Sequence, residues 1–141
     1  MKIGEPVLDA LIKAFEIGKK PLHWEVAKAL SQIGTVKAAK VLVDALEDHD
    51  FGVRWIAAEG LIHIGAGGVA PLLEALRKKP DSVWLREGVH HVINDLVNRE
   101  LIGEPARKSL MPLLDALSNI DPVIHTNTEA DNALKAIYIK Q

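Results

Sequence analysis

Apolar residues recur along this chain at three- and four-residue steps, and strand-like alternation is missing. That spacing places apolar side chains on one face of a helix. The sequence Pro-Leu-Leu-Glu-Ala-Leu at 71–76 returns as Pro-Leu-Leu-Asp-Ala-Leu at 112–117, and looser copies of the pattern occur at 11–15 and 42–46. Four copies of one helical pattern predict a repeat protein.

A second helical pattern follows the first and also repeats. Ala-Lys-Ala-Leu-Ser-Gln-Ile-Gly at 27–34 aligns with Ala-Glu-Gly-Leu-Ile-His-Ile-Gly at 58–65. Glycine after the last apolar position ends a helix readily, because it has no Cβ to clash in the left-handed conformation. Asp-Phe-Gly at 50–52 and Lys-Pro-Asp at 79–81 supply turn and N-cap residues. Each repeat is therefore predicted to be a helical hairpin, and the hairpins must stack to bury their apolar faces.

The pattern predicts one all-α domain over 1–141, with repeats at about 5–34, 35–65, 66–102 and 103–141. Between the second and third repeats, an offset of 31 residues aligns the second helices and places Val92 opposite Leu61. The same offset relates Trp24 to Trp55. Positions 24, 55 and 86 are therefore predicted to be equivalent.

Composition supports a packed domain and narrows the function. The chain is 48% hydrophobic and 26% charged, which is enough apolar material for a core. Lys and Arg total 17 against 19 Asp and Glu, so no global field attracts nucleic acid or an acidic membrane. The N-terminus lacks the apolar stretch of a signal peptide, and no uncharged apolar window reaches the length of a membrane span. We expect a cytoplasmic protein that binds neither nucleic acid nor membrane.

Catalytic motifs find little support. The absence of cysteine removes disulfides, thiolate metal sites and cysteine nucleophiles. Glycines at 65, 67 and 68 are not followed by Lys-Ser or Lys-Thr, as a phosphate-binding loop requires. Glu59 and His63 are one helical turn apart, as are Glu87 and His91, so a metal site is geometrically possible. We favour ordinary surface histidines over ligands, and predict no metal, no cofactor and no catalytic residue.

Residues 50–61, Asp-Phe-Gly-Val-Arg-Trp-Ile-Ala-Ala-Glu-Gly-Leu, resemble the Asp-x-x-Val-Arg-x-x-Ala-Ala-x-x-Leu core of HEAT repeats. Within that family they are similar to the short repeats named after phycobilisome lyases. The resemblance implies a right-handed α-α superhelix, an armadillo-like solenoid of about four hairpins. It also implies that Asp50 and Arg54 form a polar ladder between hairpins, and that the second helices line a concave surface.

Tryptophan placement indicates where that concave surface is used. On a helical wheel, Ala57, Ala58 and Leu61 share one side of their helix, whereas Trp55 lies opposite. Large apolar groups mixed with arginine are typical of binding surfaces. The residues predicted to bind a partner along this groove are Trp24, Lys28, Trp55, Glu59, Ile62, Arg86, His90 and Ile93. The alternative, given equal weight, is that each tryptophan packs over the neighbouring helix and closes the stack.

We predict from this a non-catalytic scaffold or adaptor that binds a protein or peptide. The alternative is a HEAT-type enzyme or enzyme subunit, either a pigment lyase component or a metal-dependent hydroxylase-like protein. Self-association through the N-terminal hairpin is a further prediction, because residues 7–17 are apolar on nearly all sides of their helix.

Overall fold

A computed structural model describes residues 4–17, 20–118 and 123–139; of residues 4–6, 15–17, 20–22, 24, 123–128 and 138–139 it describes the backbone alone. The described residues form eight α-helices and no strand. A short 3-10 helix at Gly65–Gly68 connects the fourth helix to the fifth. In chain order the helices are α1 Gly4–Ile17, α2 Lys20–Ile33, α3 Val36–Ala45, α4 Phe51–Ile64, α5 Val69–Lys78, α6 Val83–Asn98, α7 Glu104–Ser118 and α8 Val123–Ile139. The predicted all-α repeat solenoid is confirmed.

Helix ends follow the local chemistry of the sequence. The Asp50 carboxylate caps α4 by accepting from the backbone N–H of Gly52 at 2.7 Å. Ser82 caps α6 through its hydroxyl, which accepts from the Leu85 N–H at 3.3 Å. Gly34 and Gly65 have φ of 69° and 77°, so both predicted glycine stops adopt backbone that favours glycine.

The first three hairpins stack like on like. Helix α4 packs against α2 on one side and α6 on the other, and α3 packs against α1 and α5. Their apolar faces meet in one continuous core, in which Leu30, Leu42, Leu61 and Leu85 are fully buried. Each hairpin thus hides a face that it could not bury alone.

The fourth hairpin packs in the reverse order. Helix α7 contacts α6, and α8 contacts α5, so the four helices α5 to α8 close into a ring of neighbours. The layer of second helices is therefore extended by α7. Each predicted repeat range holds two of the helices, although the exact division remains a prediction. Periodicity identified α7 and α8 as helices but could not specify which neighbour each would meet.

The structure corrects the alignment of α4 with α6. The guanidinium Nη1 of Arg54 donates to the carbonyl oxygen of Asp48 at 2.7 Å, and that of Arg86 donates to Pro80 at 3.2 Å. Both carbonyls lie six residues before their arginine, and the capping residues at 50 and 82 are likewise 32 apart. Arg86 is therefore the counterpart of Arg54, and the predicted equivalence of 86 with 55 is wrong. Either offset satisfies the hydrophobic pattern, because Leu61 aligns with Val92 at an offset of 31 and with Ile93 at an offset of 32, and both are apolar.

Within the part of the chain that the structure describes, one helical stretch is apolar enough to be considered as a membrane span. The run Phe51–Lys78 meets the length and hydropathy of a crossing segment, which the sequence analysis did not anticipate, and 56% of its apolar window is buried within the fold. Gly65 interrupts this run at the end of α4. Core burial accounts for the apolar composition, and such a stretch is weak evidence for a membrane.

Candidate partner-binding site

An aromatic cluster lies between α4 and α6. The Trp55 ring stacks on His91 with centroids 5.3 Å apart and an interplanar angle of 28°, and it also stacks on Phe51 at 6.5 Å. Trp55 is 49% exposed and Phe51 is 68% exposed. The outward direction predicted for Trp55 is therefore confirmed, and aromatic neighbours from two helices hold its ring in place.

Arg54 connects this cluster to the loop before α4. Its guanidinium lies 4.4 Å from the centroid of Trp84, which belongs to α6, and 5.6 Å from that of Phe51. The same group donates to the carbonyl oxygens of Asp48 and His49, at 2.7 and 3.2 Å. A cation over an indole face is attracted by the ring quadrupole. Arg54 thereby fixes the α3–α4 loop to the next hairpin.

The cluster encloses a pocket of about 180 Å³, lined mainly by apolar atoms. A Cβ at Gly88 would lie 2.9 Å from Leu46 Cδ2, so glycine allows α6 to approach the end of α3 closely. Pockets for drug-sized molecules are usually about 300–1,000 Å³, which makes this one the size of a single large side chain. The residues lining this aromatic pocket are Leu46, Phe51, Arg54, Trp55, Ala58, Trp84, Glu87, Gly88 and His91.

Polar side chains continue the contact between α4 and α6 beyond the pocket. We call the line along which two such helices meet a seam. His91 Nε2 of α6 lies 3.3 Å from Glu59 Oε1 of α4. Asp95, one helical turn after His91, offers a carboxylate oxygen to the same place, and one ligand atom from each of the three residues lies within 4.8 Å of the others. Arg99 approaches Asp95 at 3.8 Å. The seam therefore changes from aromatic to charged along its length.

The predicted groove residues are only partly brought together. Trp55 and Glu59 lie on α4 beside the aromatic pocket. Lys28 is exposed on α2, His90 contacts the Ser118 hydroxyl of α7 at 3.1 Å, and Arg86 is half-buried against the Pro80 carbonyl. The Trp24 side chain lies outside the described residues. His90 and Arg86 therefore serve contacts within the fold.

Two predicted contact residues are largely covered by neighbouring helices. Ile93 is fully buried, so the expectation that it lines a groove is wrong, whereas Ile62, 4% exposed, lies in the wall of a surface recess that it shares with Glu59. The helical wheel assumed one buried face for each second helix. Helix α4 is instead covered by α2, α3 and α6, and α6 by α4, α5 and α7, which leaves only a narrow outer strip.

The predicted ladder also differs from the observed contacts. Asp50 directs its carboxylate to the start of its own helix, so the inter-hairpin role expected of it is corrected. Arg54 does reach the next hairpin, through the Trp84 ring. Between the first two hairpins, His23 Nδ1 lies 3.0 Å from Asp48 Oδ2. The contact between these two hairpins is therefore made by Asp48, two residues before Asp50.

Sequence analysis missed Trp84, Phe51 and His91 as members of this site. Trp84 lies one residue after the start of α6, where the 31-residue alignment offered no aromatic partner. The 32-residue offset would have indicated His91, because it makes Glu59 and His91 equivalent positions on neighbouring helices, whereas Trp84 aligns with Gly52 and has no aromatic counterpart at either offset. Position-matched residues on stacked helices are natural contact candidates.

Comparisons with known proteins agree with this architecture. The family model described as HEAT repeats matches residues 8–94, from α1 into α6. A segment of 59 residues is 39% identical to phycocyanobilin lyase subunit alpha of Picosynechococcus sp., covering 42% of this chain and 22% of that protein. The match thus spans about a fifth of that relative's length. No solved structure matches significantly.

The matched region coincides with the hairpins that stack like on like, and it stops before the reversed fourth hairpin. It covers more than half of the chain. On the repeated helix pairs and this match, the chain belongs to the HEAT-repeat family.

Proposed function

We propose that this chain is a non-catalytic interaction module whose aromatic pocket binds one side chain of a protein partner. The observation that carries the proposal is the pocket between Trp55 and Trp84, which is apolar, open to solvent and sized for one large side chain. Partially exposed aromatic residues around such a recess are typical of binding hot spots. HEAT repeats act as helical scaffolds, which agrees with this role.

Charge at the rim indicates what kind of segment fits. Arg54 is occupied by the Trp84 face and two backbone carbonyls, whereas the Glu87 carboxylate is exposed at the pocket edge. The negative group available to a partner therefore favours a basic residue beside an apolar anchor. We propose as occupant a peptide segment with a large apolar side chain next to Lys or Arg.

A peptide array tests this occupant directly. Sequences that pair Leu, Phe or Trp with a neighbouring Lys or Arg should be retained, and those with Asp or Glu at the charged position should be lost. Trp55→Ala should weaken binding of a retained peptide by at least about 2 kcal/mol, roughly 30-fold. Glu87→Gln should reduce the preference for a basic neighbour.

Val83→Ala is the matched control, because Val83 is 65% exposed on α6 and does not line the pocket. It should bind as the wild type does. Circular dichroism would establish that the variants are folded. Equal binding by folded Trp55→Ala and wild-type protein would rule out the pocket as the partner site, and the tryptophan would then be a packing residue.

A pigment lyase component is the second candidate, favoured by the similarity to phycocyanobilin lyase subunit alpha. Its weakness is the small pocket, since a larger chromophore would need more than the space for one side chain. Mixing the protein with phycocyanobilin and recording the visible absorbance separates the two. A saturable spectral change that is lost in Trp55→Ala would favour the lyase-related function.

Two further predictions extend this proposal. Lys28 and Trp24 on α2 would add contacts to a longer partner segment that continues past α4.

Self-association is proposed for the outer face of α1, where Val7 is 53% exposed while its neighbour Leu8 is buried. If that face forms a homodimer, Val7→Lys should convert it to a monomer in light scattering.

A further inference from the structure

Glu59, His91 and Asp95 form a compact group of two carboxylates and one imidazole where α4 meets α6. One ligand atom from each residue lies within 4.8 Å of the others, and all three side chains are partly buried. Within single helices the sequence pairs Glu59 with His63 and Glu87 with His91, from which no metal was predicted. We propose that this group, the carboxylate–histidine triad, binds a divalent first-row transition metal such as Zn²⁺.

The spacing is close to what a coordination sphere needs. Zn²⁺ bonds to His nitrogen and carboxylate oxygen at about 2.0–2.2 Å in tetrahedral sites, which places neighbouring ligand atoms about 3.3–3.6 Å apart. Glu59 Oε1 and His91 Nε2 are already 3.3 Å apart. Asp95 needs only a side-chain adjustment, because it lies one turn from His91 on the same helix.

Neighbouring groups hold the imidazole in a suitable orientation. The Trp55 ring stacks on His91 at 5.3 Å, which restricts rotation of the ring while its Nε2 edge faces Glu59. Groups that orient a ligand strengthen a metal site by reducing the disorder that binding must remove. Three protein ligands also leave room for water or an exogenous ligand in the remaining coordination positions.

The donor set selects the class of metal. One imidazole nitrogen with two carboxylate oxygens suits Zn²⁺ and similar divalent transition metals, whereas Mg²⁺ and Ca²⁺ prefer oxygen donors throughout. Arg99 lies 3.8 Å from Asp95 and places a competing positive charge beside the site. Removing that charge should strengthen metal binding, and removing the imidazole should weaken it.

Calorimetric titration of the untagged full chain with Zn²⁺ alone tests the site. We expect one equivalent to bind saturably and to raise Tm, because a ligand that binds the folded state stabilises it. His91→Asn and Asp95→Asn should each weaken Zn²⁺ binding at least about tenfold. Loss of a residue that only orients a metal ligand already weakens binding by about that much. Arg99→Gln should bind Zn²⁺ more tightly than the wild type.

His90→Asn is the matched control, because His90 lies on the same helix as His91 but its imidazole contacts the Ser118 hydroxyl of α7 instead of the triad. It should leave affinity and stoichiometry unchanged. Absence of saturable binding would overturn the proposal, as would wild-type affinity in folded Asp95→Asn or an equal affinity for Mg²⁺. The measurement needs no peptide or other partner, so its result is independent of the function proposed for the aromatic pocket.

Discussion

Helix α4 has two neighbours of its own kind, α2 and α6, and it packs against them differently. Against α2 the contact is tight: a Cβ on Gly60 would lie 2.3 Å from the Ser31 hydroxyl oxygen and 2.8 Å from Ser31 Cβ. That hydroxyl donates to the Ala27 carbonyl at 2.8 Å and reaches the Ile56 carbonyl at 3.4 Å. Small residues therefore allow α2 and α4 to pack closely here, and we call this contact the closed seam.

Between α4 and α6 the contact leaves a pocket, and we call it the open seam. The large rings of Trp55 and Trp84, together with Arg54, lie at this contact. They leave a pocket of about 180 Å³ and, further along, the Glu59–His91 contact. One repeated helical pattern thus gives a tightly packed contact or a more open one, depending on the size of the residues where the helices cross.

The largest effect should come from a residue in the core of the stack. Leu61 is fully buried on the core side of α4, and Leu61→Ala should lower the free energy of unfolding by about 2–5 kcal/mol, because the cavity lies between packed hairpins. Denaturant titration followed by circular dichroism measures it. Val83→Ala, exposed on α6, should change stability little, and a comparable loss in both variants would contradict the packing described for α4.

Gly60→Ala should break the closed seam with a smaller cost. The new methyl would meet Ser31, whose Cβ cannot move away without moving α2, and such overpacking costs about 1–3 kcal/mol. Alanine returns about 1 kcal/mol through its higher helix propensity, so we expect a net loss of up to about 2 kcal/mol.

Gly88→Ala makes the matching change in the open seam. Its new methyl would meet the end of the Leu46 side chain at 2.9 Å, and that end can rotate away. Stability should stay within about 1 kcal/mol of the wild type. Thermal unfolding of the Gly60→Ala and Gly88→Ala variants tests this difference. If Gly88→Ala is the more destabilising of the two, the distinction between the closed and the open seam is wrong.

Much of the fold was predictable because it rests on local chemistry. Apolar spacing determined the helices, Asp50 capped α4 as a short acidic residue should, and Gly34 and Gly65 ended helices in the left-handed region. The reversed fourth hairpin was not predictable from periodicity, since its helices can bury the same faces against either neighbour.

The site was less predictable because it depends on one residue of register. With an offset of 31, Arg86 was matched to Trp55, and with the observed 32 it matches Arg54. His91 then becomes visible as the counterpart of Glu59 on α4. Ile62 and Ile93 show the other difficulty, since a helical wheel for one helix cannot include the side neighbours that bury its flanks.

The smallest expected effect is a difference in stability between variants of Arg54 and Arg86. Arg54 and Arg86 each donate to a carbonyl six residues earlier, but only Arg54 is also held over the Trp84 ring, at 4.4 Å, among the described contacts of the two. Arg54→Gln should therefore destabilise the protein more than Arg86→Gln, by the cation–π contribution of about 0.5–1 kcal/mol and by the loss of the second hydrogen bond, to the His49 carbonyl. Replacing Trp84 with Leu should remove the cation–π part of that excess, because the ring is its source. A double-mutant cycle on Arg54 and Trp84 measures the coupling directly, with Arg86 and Trp84 as the control pair. Equal coupling in both pairs would mean that the ring contact contributes nothing special to the open seam, and that Arg54 acts there only by holding the α3–α4 loop.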